Sequence, residues 1–186
     1  ERDILPARVS GFEPRLLDEL CYAGDIVWGR RSSGRGGATT RATPIALWHR
    51  PSSPWLLGAP TDDAAQLSPH ETQVVDVLRQ RGALFYDEIA KSLAATREAL
   101  DATLWSLVSL GRITADGFAA LSSLAGASPR RTGRWSLLDG GPPPSSSSTV
   151  ESFARQLLAR YGVVYRELVL KEIGPRWRDL LMCYRR

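Results

Sequence analysis

An internal repeat at a spacing of 80 residues constrains this chain more than any single motif. Ser68-Pro69-His70-Glu71 aligns with Ser148-Thr149-Val150-Glu151, and both read as S-x-x-E capping boxes that open a helix. In the first copy Pro69 takes the first helical position, which proline favours. Leu78, Gly82, Ala83, Leu84, Phe85, Asp87 and Ile89 then align with Leu158, Gly162, Val163, Val164, Tyr165, Glu167 and Val169. Each copy predicts a capped helix, a glycine at its C-terminus, a short extended apolar step and a second short helix.

A second repeat, at a spacing of 87 residues, matches Leu17, Leu20, Gly24 and Ile26 to Leu104, Leu107, Gly111 and Ile113. Here a helix ends at glycine and turns into a strand. Leu100, Leu104, Leu107 and Val108 fall at i, i+4, i+7 and i+8, which is one apolar helical face. Residues 25–29 alternate as a strand, and Thr43 to Trp48 can return antiparallel to it, with Pro44 confined to an edge. Joined together, the repeats give helix, short strand, helix, turn, helix, strand, loop, strand. That order is a winged helix, a helix-turn-helix variant with a β-hairpin wing. The predicted class is α+β, mainly helical, built of tandem winged-helix modules. Residues 1–60 hold the second half of one module with its wing hairpin, and 68–138 a fairly complete module. A Gly/Pro/Ser linker over 139–148 leads to 148–186, the first half of a further module. In the middle module a turn and short helix over Asp116 to Ala127 stand where a long wing would be, and Arg134 to Leu138 supply a late strand.

Charge is spread unevenly over these segments. Residues 1–60 carry eight arginines against six acids, 61–127 five basic residues against nine acids, and 128–186 eleven against five. Phosphate contact is favourable for the flanks and unfavourable for the middle. No apolar run reaches the roughly 20 residues that span a bilayer, and no signal-peptide stretch follows Glu1-Arg2-Asp3, so no membrane association is expected. Cys21 and Cys183 lie far apart, each in an apolar helical pattern, and read as buried or inert thiols in a reducing cytoplasm. The absent initiator methionine and an end in mid-helix predict a piece of a longer protein.

The candidate phosphate contacts are arginines. Arg30, Arg31, Arg35 and Arg41 surround a Gly/Ser/Thr loop at the tip of the first wing, where guanidinium groups can fork onto phosphate, or where the loop is simply solvated. Arg130 and Arg131, with Arg134 beside Trp135, can clamp a single strand, or Trp135 belongs to a strand in the core with arginines around it. Arg176 and Arg178 flank Trp177 on what should be a recognition helix, with Arg185 and Arg186 further on. Either that helix enters a groove, or Trp177 and Leu181 pack inward while the arginines face water. Asp87, Glu88, Glu98 and Asp101 read as helix-start charges rather than paired catalytic carboxylates. His49 and His70 have no partner at metal spacing, and Ser32 to Gly37 lacks the GK[ST] ending of a nucleotide-binding loop. Neither a catalytic residue nor a cofactor is expected in this segment.

Several stretches together resemble one family. Residues 4–9 (ILPARV), Leu17-Asp18-Glu19-Leu20 and Gly24 to Trp28 resemble the "LPARV…LD.L…GE.VW" stretch of the bacterial large helicase-related (Lhr) proteins. Leu104 to Val108 with Gly111 to Phe118 resembles "LW.LV..G..TND.F", Gly133 to Leu137 "GRWSL", and Leu157 to Glu167 "LLERYGVVTRE", all in the family's order. The resemblance implies a segment of the C-terminal winged-helix array of an ATP-dependent helicase. Its ATPase core, with ATP and magnesium, drives 3′-to-5′ unwinding of DNA or RNA:DNA duplexes and lies outside these residues. Implied partners are DNA or an RNA:DNA hybrid, neighbouring modules and further copies of the protein, in the bacterial cytoplasm at the nucleoid. The C-terminal array is also similar to a DNA glycosylase family, but no glycosylase catalytic residue can be placed here. Two other readings remain: an oligomerisation scaffold that touches no DNA, and a stand-alone transcription regulator, which would need a dimerisation element that this sequence does not show.

Overall fold

Both repeats persist as matched helix ends in the computed structural model, which describes residues 4–30, 45–57, 67–124, 133–139, 144–172 and 174–186. The elements in chain order are α1 (Pro14–Tyr22), β1 (Ile26–Gly29), β2 (Ala46–His49), a 3-10 turn (Arg50–Ser52) and α2 (Ser53–Leu57). Next come α3 (Pro69–Arg81), β3 (Leu84–Phe85), α4 (Tyr86–Leu93), α5 (Arg97–Ser109), β4 (Ile113–Ala115), α6 (Ala119–Leu124) and β5 (Arg134–Leu137). The last three are α7 (Ser146–Tyr161), α8 (Arg166–Val169) and α9 (Trp177–Tyr184).

The 87-residue repeat is carried by backbone hydrogen bonds as well as by side chains. Helices α1 and α5 end 87 residues apart, at Tyr22 and Ser109, and are followed by Gly24 and Gly111 with φ of +82° and +66°. The Asp25 N–H then donates to the Leu20 carbonyl at 3.1 Å, and the Arg112 N–H to the Leu107 carbonyl at 2.9 Å. The 80-residue repeat runs further than its side chains reveal. Helices α3 and α7 end at Arg81 and Tyr161, α4 and α8 begin at Tyr86 and Arg166, and α5 and α9 begin at Arg97 and Trp177. Gly82 and Gly162 close the first helices alike, their N–H groups donating to the Leu78 and Leu158 carbonyls.

Two local expectations need correction. The box at Ser68 forms: its N–H donates to Glu71 Oε2 at 2.6 Å, and the Glu71 N–H donates to Ser68 Oγ at 3.3 Å. The expected box at Ser148 does not form. Helix α7 starts earlier, at Ser146, with Ser145 Oγ accepting from the Ser148 N–H, and Glu151 pairs with Arg155 at 2.5 Å instead. Any serine of the run 145–148 can cap, and the earliest one gives the longer helix. The extended step at 163–165 also forms no strand, whereas β3 pairs with β5 through Leu84 and Trp135. A strand needs a partner's backbone groups, and none returns beside 163–165 among the described residues.

The chain divides into two units, residues 1–53 with 60–139, and 54–59 with 140–186. In the first, α3, α4 and α5 pack on an antiparallel sheet of order β3-β5-β4, and a separate antiparallel pair, β1 and β2, sets Ile26 opposite His49 and Gly29 opposite Ala46. Leu17, Cys21 and Trp28 from the N-terminal segment share one core with Val74, Leu78, Ile89, Leu104, Leu107, Ile113 and Trp135. The N-terminal segment is therefore not a separate body. The second unit has a smaller core of Ala154, Leu157, Val169 and Leu180. Phe153 packs against this core, with Trp55 edge-on to its ring at 4.9 Å. No helix among the described residues is long and apolar enough to cross a membrane.

The two thiols differ. Burial, reinforced by the charge of Asp18, pushes Cys21 up to about 11, so it stays protonated at neutral pH. Cys183 is half-buried, and both thiols are free. A thiol reagent at neutral pH should modify Cys183 first and reach Cys21 only in denaturant. Equal rates for the two in the native chain would contradict this.

Candidate nucleic-acid interface

The β1–β2 hairpin is held from beneath by bonds of long sequence range. Trp28 is fully buried; its indole N–H donates to the Gly117 carbonyl at 3.3 Å, and Thr114 Oγ1 donates to the Trp28 carbonyl at 2.7 Å. Its ring meets Phe118 and Trp135 edge-on, at 6.0 and 6.1 Å. Asp18 accepts from the Ala119 N–H at 2.8 Å, tying α1 to the start of α6. Gly111 lies so close to the hairpin that a Cβ would stand 2.5 Å from the Arg30 carbonyl oxygen. These contacts seat Trp28 and Arg30 against the middle module, next in sequence to the span 31–44. Arg31, Arg35 and Arg41 belong to that span and lie outside the described residues, as do Arg130 and Arg131.

Arg30 is the one member of the wing group that the structure describes, and it is engaged internally. Its Nη1 donates to the Ser109 carbonyl at 3.0 Å, at the C-terminal end of α5, and its buried Nε finds no acceptor among the described residues. A cation over orphan carbonyls at a helix C-terminus is a favourable structural contact. It commits one N–H of this guanidinium to the fold. No spacing rule signals such a contact, because the partner lies 79 residues away. Trp135 is likewise a core residue of β5, and Arg134 pairs with Asp116 at 2.9 Å, so the single-strand clamp is not assembled around Trp135.

Helix α5 occupies the recognition-helix position of the middle module, yet it is poorly disposed to enter a groove. From Leu104 onward its residues are buried or half-buried, and its more exposed N-terminal turns carry Glu98 and Asp101. The Tyr86 hydroxyl lies 2.8 Å from Asp101 and 3.1 Å from the Arg97 carbonyl, its one proton shared between the two acceptors, which fastens α4 to α5. Glu71 fastens α3 to the same helix by accepting from Ser106 at 2.5 Å. Burial pushes the Glu71 carboxyl up, but the hydrogen bonds from Ser106 and Ser68 outweigh it and hold the group below its ordinary value. These polar groups serve packing.

Helix α9 is disposed in the opposite way. Leu180 is fully buried, Trp177 and Tyr184 pack beside it, and the Tyr184 hydroxyl donates to the Ala154 carbonyl at 3.0 Å. Burial raises the Tyr184 hydroxyl above its ordinary range. The inward face is thus Trp177, Leu180 and Tyr184, and Leu181, expected inward, is only half-buried beside it. Arg176, Arg178, Arg185 and Arg186 are all exposed. The structure keeps Trp177 inward and the arginines in water, and the same arrangement leaves them accessible to a phosphate. Among the described residues no group of His, Cys, Asp and Glu is placed to hold a metal ion.

Helix, strand, helix, helix and a β-hairpin in the order β3-β5-β4, flanked by further copies of its parts, define a winged-helix array. Two family models, each described as "Large helicase-related protein, winged-helix domain", match residues 1–50 and 143–186. The chain is similar to an "Lhr helicase/uracil glycosylase" of Escherichia coli (strain K12), 27% identical over 214 residues, covering 94% of this chain and 14% of the relative. It is also similar to an "Lhr helicase/ probable uracil glycosylase" of Mycolicibacterium smegmatis, 24% identical over 209 residues, covering 92% of this chain and 13% of the relative. The chain belongs to the large helicase-related family, and spans about one seventh of the length of these curated relatives.

Proposed function

We propose that this chain is a nucleic-acid-binding and assembly segment of a longer ATP-dependent 3′-to-5′ helicase that acts on DNA or RNA:DNA duplexes in DNA repair. Helix α9 carries the reading: its apolar side is committed to the core, while Arg176 and Arg178 face solvent at its N-terminal end. The surrounding charge supports it, since residues 144–186 hold eight basic residues against four acids. The names of the relatives join helicase to uracil glycosylase. On this reading the ATP and magnesium sites, and any glycosylase centre, belong to other parts of the parent protein.

The test is duplex binding as a function of salt. Removing one phosphate-binding cation should flatten the log–log salt slope by about 0.9. Reversing Arg176 and Arg178 to glutamate should therefore weaken affinity and flatten the slope by about twice that amount. Reversing Arg31, Arg35 and Arg41 tests the wing loop in the same way. Unchanged affinity and slope in both variants would reject the reading. The acidic, internally engaged α5 favours a second reading for the middle module, that of an assembly element. On the scaffold alternative the mass of the intact C-terminal region in solution shows an oligomer that DNA leaves unaltered.

A further inference from the structure

The corner between α7 and α8 exposes apolar surface that its counterpart in the first unit does not. Val163 and Leu170 are 71% and 73% exposed, and 80 residues earlier the same positions are alanines, Ala83 and Ala90. At the residue preceding the second helix both copies expose an aromatic ring, Phe85 at 52% and Tyr165 at 53%. The charges around the two rings differ at the start of the second helix, where Arg166 stands in place of Tyr86 and Leu168 in place of Glu88. Phe85 is followed by Asp87, Glu88 and the exposed Lys91, which is the counterpart of Lys171, with Glu88 accepting the Phe85 N–H at 2.8 Å. Tyr165 is followed by the exposed cations Arg166 and Lys171, with Glu167 between them.

A second ring at this corner is held in place. Tyr161, the last residue of α7, lies under the Arg160 guanidinium at 5.1 Å, and its hydroxyl donates to Glu172. Arg160 reaches the same carboxylate at 3.4 Å. This carboxylate pins both the ring and the cation above it, which limits the entropy cost of binding. Exposed aromatic faces bordered by cations suit unpaired bases: every base has a face to stack, and the cations follow the backbone. A duplex cannot use them, since its base faces are already stacked.

We propose that Tyr165, supported by Tyr161, is a stacking platform for single-stranded nucleic acid, with Arg166 and Lys171 meeting the adjacent phosphates. The proposal rests on the nucleic-acid role assigned to α9 and gives the unpaired strand a separate surface. The Phe85 corner, at the same place in the repeat but with Glu88 added and without a counterpart of Arg166, is its internal control.

The experiment measures fluorescence anisotropy of a short fluorescein-labelled oligothymidine, and of a labelled duplex, with the full chain. Tyr165→Ala should weaken single-strand binding about tenfold, the loss of one stacked base, and leave duplex binding unchanged. Tyr165→Phe should stay within about twofold of the parent, because the ring is kept. Tyr165→Leu should fall with the alanine variant, since an apolar contact without a π-face does not replace stacking, and Phe85→Ala should bind as the parent does. Parent-like binding by Tyr165→Ala or Tyr165→Leu would overturn the platform, as would an equal loss in Phe85→Ala. A parent chain that binds duplex but no single strand overturns the platform and leaves the α9 reading standing. Binding to neither overturns both.

Discussion

Trp28→Ala is expected to destabilise the first unit by about 3–5 kcal/mol, a large share of the stability of any domain of this size. The side chain is fully buried against Phe118 and Trp135, so truncation removes its apolar burial and leaves a cavity. It also leaves the Gly117 carbonyl without its indole donor. Urea unfolding followed by circular dichroism measures the loss, and Leu47→Ala provides the contrast. Leu47 sits on the paired strand but is 38% exposed, and its truncation should cost no more than about 1 kcal/mol. Because Trp28 belongs to the N-terminal segment while its partners lie in the middle module, one cooperative transition should move to lower urea. Comparable midpoints for the two variants would show that the two segments do not share a core around Trp28.

Leu180→Ala is expected to cost about 2–5 kcal/mol and to act on the second unit. Among the described residues Ala154, Leu157, Val169 and Leu180 form one small buried cluster, so one truncation removes much of what holds α7, α8 and α9 to one another. Amide hydrogen exchange resolves the effect by region. Protection should collapse over 146–184 and persist at Val74, Ile89 and Leu104, which belong to the other core. Leu181→Ala should cost far less, since that side chain is only half-buried. Equal losses for Leu180 and Leu181, or a loss of protection shared by both units, would refute the assignment of the inward face and the separateness of the two cores.

The candidate site was legible in the sequence only in part. Arg176 and Arg178 lie where the repeat places a third helix, and both face solvent. Proximity along the chain groups Arg30 with the wing, but the Ser109 carbonyl claims it. The exposed rings of Phe85 and Tyr165 look alike in the repeat, and only accessibility separates them from the buried Leu84 beside Phe85. Leu180 and Leu181 are adjacent leucines, and a one-residue step turns a helix by about 100°. Composition alone cannot say which of two such neighbours meets the core.

By itself the sequence determined where the helices end and how the backbone turns out of them. Gly24, Gly82, Gly111 and Gly162 adopt positive φ, and Ser68 with Glu71 closes its capping box. Those outcomes depend on backbone sterics and hydrogen bonds within five residues, so they can be read locally. Among several equivalent serines the choice of cap passed to the energetics of the whole helix, and α7 began before Ser148. Tertiary structure decided that the N-terminal segment and the middle module share one core around Trp28, and that α5 is engaged from within by Arg30, Tyr86 and Glu71. It also decided that α9 leaves its arginines in water. The physical reason is range: burial and desolvation are set by residues 15 to 89 positions apart in the bonds that matter here, and a repeat records which parts recur without recording what covers them.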